Sequence, residues 1–88
     1  MTTDELSRAD LVEKVREHLS SELEISLEQI NEETRLREDL DADSLDLYEL
    51  VMELEDTYGI SVSEEEAAEI ETVGAAVSFV ADRLGVAA

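Results

Sequence analysis

Residues 40–46, which read LDADSLD, place three carboxylates around one serine. Side chains of these types and spacing could do three kinds of chemistry. Alternating aspartates are typical of a calcium-binding loop, a polar side chain can cap a helix, and a serine hydroxyl can accept a covalent group from another protein. The residues that follow, and the elements that must hold them, distinguish between these possibilities.

The positions after the aspartates do not support a calcium-binding EF-hand loop. If Asp39 were the first ligand, the sixth position should be glycine and the twelfth a bidentate glutamate. Ser44 and Leu50 occupy those two positions, and Glu49 misses the second by one residue. Helix signals also begin where the loop should still be running. We therefore predict no metal site here.

Serine hydrolysis is not supported either, because a nucleophilic serine needs a base within reach. The one histidine, His18, is predicted to be exposed on the polar side of the first helix, and no nucleophile-elbow glycines flank Ser44. We predict no catalytic residue. Ser44 is then either a simple cap or a modification site. The second interpretation is physically reasonable, because a phosphoester in the first turn would meet free N–H groups and the positive end of the helix dipole.

The composition predicts one small acidic domain over residues 1–88, with a net charge of -19 and no cysteine. Between Glu38 and Asp82 the chain has fifteen acidic residues and no Lys or Arg. Such a region should repel nucleic acid and anionic lipid and attract proteins with basic patches. No apolar run approaches the roughly 20 residues of a membrane span, and the first residues do not resemble a signal peptide. A cytoplasmic location is therefore expected.

Apolar spacing predicts an all-α fold of four helices, with a long loop between the first and second helices and a short third helix. Asp43 is a good N-cap for the second helix, and Gly59 suits the left-handed residue after it. A capping box opens the third helix at Ser63, and Thr72 caps the fourth. Gly74, in the first turn of the fourth helix, should cost about 0.5–1 kcal/mol relative to alanine. The predicted ranges are about 8–19, 44–58, 63–70 and 72–84.

The second helix has two apolar faces at about 100° per residue. A helix in so small a domain cannot easily bury both, so the second face should form an exposed stripe with the acid-rimmed character of a protein-docking surface. The alternative is that the preceding loop covers it. The predicted core face contains Leu47, Leu50, Val51, Leu54 and Tyr58, and the predicted docking stripe contains Leu45, Tyr48 and Met52 among the acids Glu49, Glu55 and Asp56.

Several segments of the chain occur together in one known family. Residues 43–46 (DSLD) follow 38–40 (EDL) and precede 49–55 (ELVMELE). Residues 59–60, 63–67 and 70–73 continue the pattern over nearly the whole chain. Together they resemble the bacterial acyl carrier proteins of type II fatty-acid synthesis, in which the DSLD segment is the prosthetic-group site.

The resemblance implies a four-helix bundle that carries 4′-phosphopantetheine on Ser44, transferred from coenzyme A by holo-carrier-protein synthase. The thiol of the arm would carry growing acyl chains as thioesters between the enzymes of fatty-acid synthesis, so the chain would be a carrier, expected to be a monomer, and not an enzyme. In the family, two kinds of residue contact the partner enzymes: apolar residues face the enzyme, and acidic residues meet its Lys and Arg side chains. The matching apolar residues in this chain are Leu45, Tyr48 and Met52, and the matching acids are Asp43, Asp46, Glu49, Glu55 and Asp56.

For the cargo, we hypothesise that the bundle holds the acyl chain loosely between its helices. The candidate lining residues share small to medium apolar side chains. They are Leu54, Tyr58, Val62, Ala67, Ile70 and Ala76.

Three positions depart from the family pattern: Asp41 replaces a usual glycine, Tyr48 a smaller aliphatic residue and Ser63 a common proline. Aspartate tolerates unusual backbone angles better than most residues. Two alternative functions stay open. One is a carrier for polyketide or peptide synthesis, and the other is a cofactor-free acidic interaction module, which would need the charge but not the serine.

Overall fold

The computed structural model describes residues 7–85, which form four α-helices and one 3-10 turn. No strand occurs in this part of the chain, where Arg35 and Thr72 form an isolated antiparallel bridge. The predicted all-α fold, with its long first loop and short third helix, is confirmed. The elements are α1 (Arg8–Leu23), the 3-10 turn (Leu27–Gln29), α2 (Ser44–Tyr58), α3 (Glu64–Ala68) and α4 (Val73–Leu84).

Polar side chains begin each helix, as the sequence pattern predicted for α2, α3 and α4. In each case the side chain before the helix accepts a hydrogen bond from an amide of the first turn, which satisfies a donor that has no intrahelical partner. The four capping residues are Ser7, Asp43, Ser63 and Thr72.

Left-handed residues end three of these helices. Gly59 and Gly85 end α2 and α4 with φ of 66° and 74°, as glycine allows. Glu24 ends α1 with φ of 58°. The helix therefore includes Leu23, and the predicted end at residue 19 was wrong. The third helix ends at Ala68, earlier than the predicted neighbourhood of Ile70.

The core lies between the inner faces of α1, α2 and α4 and is closed by the loop between α1 and α2. Leu36, Val73, Ala76 and Val77 have no exposed surface. Residues from every helix except α3 contribute buried side chains. None of the described helices is both long enough and apolar enough to cross a membrane.

Backbone hydrogen bonds fasten the long loop to the start of α4. The amide of Leu36 donates to the carbonyl of Glu71 at 2.9 Å, and the amide of Val73 donates to Thr34 at 3.0 Å. On the other side, the Arg16 guanidinium donates to the carbonyls of Ile30 and Leu27, each at 2.7 Å. These bonds satisfy backbone groups that a loop packed on a core would otherwise leave unpaired.

A polar seam joins α1 to α2. Lys14 Nζ lies 2.9 Å from a carboxylate oxygen of Glu53, and this hydrogen bond raises the pKa of Lys14 and lowers that of Glu53. His18, on the same side of α1, is half-buried, and its Nε2 atom is buried without a hydrogen-bond partner among the described residues. The prediction that His18 is exposed to solvent was therefore wrong.

Candidate functional site

Ser44 is the exposed first residue of α2, and its neighbours perform the capping. The amide of Asp46 donates to Asp43 Oδ1 at 2.9 Å, and the amide of Asp43 donates to Asp46 Oδ2 at 3.1 Å. The bond from the Asp46 amide lowers the pKa of Asp43, which keeps this carboxylate charged. The Ser44 hydroxyl makes no hydrogen bond within residues 7–85. It is thus not needed as a cap and is open to chemistry.

The loop before α2 fixes the position of Ser44. Leu36, Leu40 and Ala42 are buried, and the amide of Ala42 donates to the carbonyl of Leu36 at 3.0 Å. The loop therefore closes on itself immediately before the helix. Asp41 has φ of 59°, which is the unusual backbone angle that glycine would adopt more easily at this position.

Asp39 supports this loop. Its Oδ2 accepts the amide of Arg35 at 2.8 Å, and its other oxygen lies 3.3 Å from the Arg35 guanidinium. These hydrogen bonds, the backbone one foremost, lower the pKa of Asp39. The carboxylate therefore has a structural role in the turn.

Acidic side chains from α1 and α2 meet near the site. Oxygen atoms of Glu22, Asp46 and Glu49 lie within 4.8 Å of one another. The hydrogen bond with Glu22 and the repulsion between the two charges raise the pKa of Glu49. Asp39, Asp41 and Asp43, which align with the first ligands of a calcium loop, do not form such a group among the described residues; the group instead joins Asp46 and Glu49 of α2 to Glu22 of α1.

The second face of α2 is exposed, as predicted. Leu45 has 62% of its surface exposed, Tyr48 59% and Met52 44%. The preceding loop does not cover them, so the exposure of the docking stripe is confirmed. Its use in docking stays a prediction.

The acids predicted to meet a partner differ in their exposure to solvent and in their hydrogen bonds. Asp43 and Asp56 are exposed, whereas Asp46, Glu49 and Glu55 are half-buried. Glu55 Oε2 accepts the amide of Val62 at 2.8 Å, which fixes the segment before α3. A cation from a partner would have to share this carboxylate.

A cavity of about 570 Å³ opens beside Ser44, between α2 and α3. Its apolar wall is formed by Leu47 and Val51 from α2 and by Val62 and Ala67 from the α3 side. Polar groups also line it, among them the Ser44 side chain, Arg37, Glu55 and Glu64. The cavity therefore combines apolar surface with charged groups next to the Ser44 hydroxyl.

The predicted acyl-pocket residues are only partly brought together here. Val62 and Ala67 line the cavity, whereas Leu54, Ile70 and Ala76 are buried in the core and Tyr58 packs against that core. The spacing of residues along α2 could have identified the part of the cavity wall that the prediction missed. Ser44, Leu47, Tyr48, Val51 and Glu55 recur every three or four residues, so they share one side of α2.

Comparisons with known proteins agree on one family. Residues 13–80 match the family described as PP-binding, phosphopantetheine attachment site. The acyl carrier protein of Lactobacillus acidophilus is 36% identical over 80 residues, covering 91% of this chain and 100% of the relative. That of Rubrobacter xylanophilus is 40% identical over 77 residues, covering 88% and 95%. That of Thermotoga maritima is 40% identical over 79 residues, covering 90% and 98%.

A solved structure is also similar. The acyl carrier protein from Enterococcus faecalis, in a structure described in terms of its high thermal stability, superposes with a TM-score of 0.76 at 38% identity. The match covers 88% of this chain and 98% of that one.

Proposed function

Since this chain belongs to the acyl carrier proteins, whose family is defined by a phosphopantetheine attachment site, we propose that Ser44 is the residue that bears the arm. The chain is a non-catalytic carrier of acyl chains on phosphopantetheine. The observation that carries the assignment is the exposed hydroxyl of Ser44. This hydroxyl is not needed as a cap, because Asp43 caps α2, and it borders the cavity.

The residues around Ser44 fit such a group. Its hydroxyl is accessible for a phosphodiester bond, and Leu47, Val51 and Val62 offer apolar surface to a long chain attached there. When bound, the arm supplies a thiol that holds an acyl group as a thioester, which a chain without cysteine cannot supply itself.

We expect holo-carrier-protein synthase to attach the arm from coenzyme A. The Ser44 oxygen forms the new bond to phosphorus, the pyrophosphate bond of coenzyme A breaks, and adenosine 3′,5′-bisphosphate leaves. The hydroxyl proton must pass to a base of the transferase. The neighbouring carboxylate Asp43 is a poor base, because its hydrogen bond from the Asp46 amide lowers its pKa.

The docking stripe and its acids are the proposed surface for this transferase and for the enzymes of fatty-acid synthesis. An exposed apolar centre with a charged rim suits a partner with an apolar patch and surrounding Lys and Arg. Leu45, Tyr48 and Met52 supply the centre. The net charge of -19 should keep copies of the chain apart, which supports a monomer. The proposed location is the cytoplasm, where coenzyme A is available to the transferase.

The family match decides against the cofactor-free acidic module, because that family is defined by cofactor attachment. The three relatives reported above, at 36–40% identity, are each named acyl carrier protein, which favours fatty-acid synthesis over polyketide or peptide synthesis.

The assignment of Ser44 is tested by incubating the apo-protein with coenzyme A, magnesium and a broad-specificity phosphopantetheinyl transferase. Intact mass and peptide mapping should show one phosphopantetheinyl group on Ser44. The substitution Ser44→Ala should abolish the gain. Ser63→Ala is the matched control, because Ser63 is another hydroxyl that lines the same cavity. Modification of folded Ser44→Ala, or a phosphopantetheinyl group mapped to Ser63 in the wild type, would overturn the assignment.

A further inference from the structure

We propose that the Arg37 guanidinium binds the phosphodiester through which the arm is joined to Ser44. This inference rests on the proposed function of Ser44. Its basis is that Arg37 and Ser44 line the same cavity, although seven positions separate them in the sequence.

The fold of the loop brings these two residues together. The carbonyl of Leu36 accepts the amide of Ala42 at 3.0 Å, and both of these residues are buried. Arg37 directly follows Leu36, and Ser44 comes two residues after Ala42. Leu36 is also held by its own amide, which donates to Glu71 at 2.9 Å. The backbone that carries Arg37 is therefore anchored on the core, and its exposed side chain starts from a fixed point beside α2.

Arg37 differs from the other basic residues in its ion pairing. Within residues 7–85 it has no carboxylate within 4.0 Å, although the chain carries 25 acidic residues. Each of the other five is paired: Arg8 with Glu32, Lys14 with Glu53, Arg16 with Glu13, Arg35 with Glu38 and Asp39, and Arg83 with Glu66. The guanidinium of Arg37 is thus available to an anion placed at the cavity.

A phosphodiester on Ser44 would be such an anion. Two acids line the cavity with Arg37, and Glu55 is already bonded to the Val62 amide, which leaves Glu64 as the competing carboxylate. The guanidinium offers a planar set of donors that matches two phosphate oxygens, and hydrogen bonds between ionised groups are stronger than neutral ones. It would also offset the repulsion between the phosphate and the neighbouring carboxylates Asp43 and Asp46.

The proposal is tested by ³¹P NMR of the holo-protein, with intact mass recorded first. Wild type, Arg37→Gln and Arg35→Gln are converted with coenzyme A and transferase. Arg35→Gln is the matched control: it removes the same charge from the same loop, but its side chain is paired with Glu38 and Asp39. We expect Arg37→Gln to shift the phosphorus resonance and to remove its dependence on salt, while Arg35→Gln leaves it at the wild-type position.

A second readout follows the guanidinium itself. The Nε–H cross-peak of Arg37 should move between the apo- and holo-proteins, and that of Arg35 should not. If Ser44 is modified but the resonances of all three proteins coincide and the Arg37 cross-peak stays in place, the phosphate contact is wrong and the attachment site stands. If no mass is gained at Ser44, both proposals are overturned.

Discussion

The amide of Gly74 donates a hydrogen bond to the carbonyl oxygen of Glu32 at 2.8 Å, and this contact joins the first turn of α4 to the long loop. A Cβ atom at position 74 would lie 3.0 Å from the same oxygen. Glycine here is explained by the close approach of two backbone segments, which local sequence rules do not reveal.

The substitution Gly74→Ala should therefore destabilise the protein despite the better helix propensity of alanine. Overpacking against backbone costs about 1–3 kcal/mol, whereas the propensity gain is at most about 1 kcal/mol. Urea unfolding followed by circular dichroism measures the balance. A free energy of unfolding higher than that of the wild type would show that the Glu32 carbonyl yields easily.

At position 41 we expect that introducing glycine does not destabilise the protein. The residue has φ of 59°, so Asp41→Gly should leave the free energy of unfolding unchanged or raise it by up to about 1 kcal/mol. Asp41→Val should lower it by about 1–2 kcal/mol, because a β-branched side chain is strained at this angle. Both variants remove the same charge, so the difference between them in urea unfolding isolates the backbone effect. Equal stabilities would contradict it.

Leu54 and Met52 provide a matched pair on α2. Leu54 is 2% exposed and Met52 is 44% exposed. Leu54→Ala should lower the free energy of unfolding by about 2–5 kcal/mol through lost burial and a cavity. Met52→Ala should change it by no more than about 0.5 kcal/mol, as for an ordinary surface position. Similar losses in denaturant unfolding would mean that the two faces of α2 are not distinguished as the structure indicates.

The contact between Glu22 and Glu49 predicts a pH-dependent penalty. Because this contact raises the pKa of Glu49 above its unfolded value, the folded state binds more protons than the unfolded state between the two pKa values. Stability is therefore lost as the pH rises through this window, and the loss is complete above the folded pKa. Glu22→Gln should raise the melting temperature at pH 7.

Below the unfolded pKa of glutamate, about 4.3, the gain from Glu22→Gln should disappear. Glu33→Gln is the control, because it removes one charge at an exposed loop position outside the cluster. Melting curves recorded by circular dichroism across this pH range measure both variants. An equal gain from both at pH 7 would assign the effect to net charge and not to this pair.

Docking should respond to charge mainly through the association rate. Asp56→Lys places a positive charge beside the stripe, so it should slow association with a basic partner such as the transferase and weaken the dependence on salt. Glu28→Lys changes the net charge equally but lies in the 3-10 turn, outside α2. Stopped-flow or surface-binding kinetics at several salt concentrations compare them. Equal slowing by both variants would contradict a local docking surface.

Local signals predicted α2 and its surroundings well. Asp43 and Gly59 mark its two ends in the sequence, and each acts within one turn, so the predicted range of 44–58 agrees with the structure. The two apolar faces follow from spacing alone. Ser44 was proposed as the attachment site from the same segment, together with the family resemblance, and this role stays a prediction.

The remaining features depend on contacts between distant residues. Nothing in the sequence marks Glu24 as a left-handed helix end, so α1 was predicted too short. The fastening of the loop by Arg16 and the burial of His18 Nε2 follow from tertiary packing. The cavity wall was only partly predicted, because apolar size does not distinguish Leu54 in the core from Val51 beside Ser44.

The attachment of α3 gives the molecule two levels of stability. This helix contributes no buried residue. Polar contacts hold it from outside: Arg83 pairs with Glu66 and donates to the Ser61 carbonyl at 2.7 Å, while Glu55 accepts the Val62 amide. Movement of α3 away from α2 and α4 breaks these few bonds and leaves the core of the other helices intact, so the free energy of this local opening should lie below that of global unfolding. Under the proposed function, one wall of the cavity would therefore adjust to acyl chains of different lengths while Ser44 stays in place.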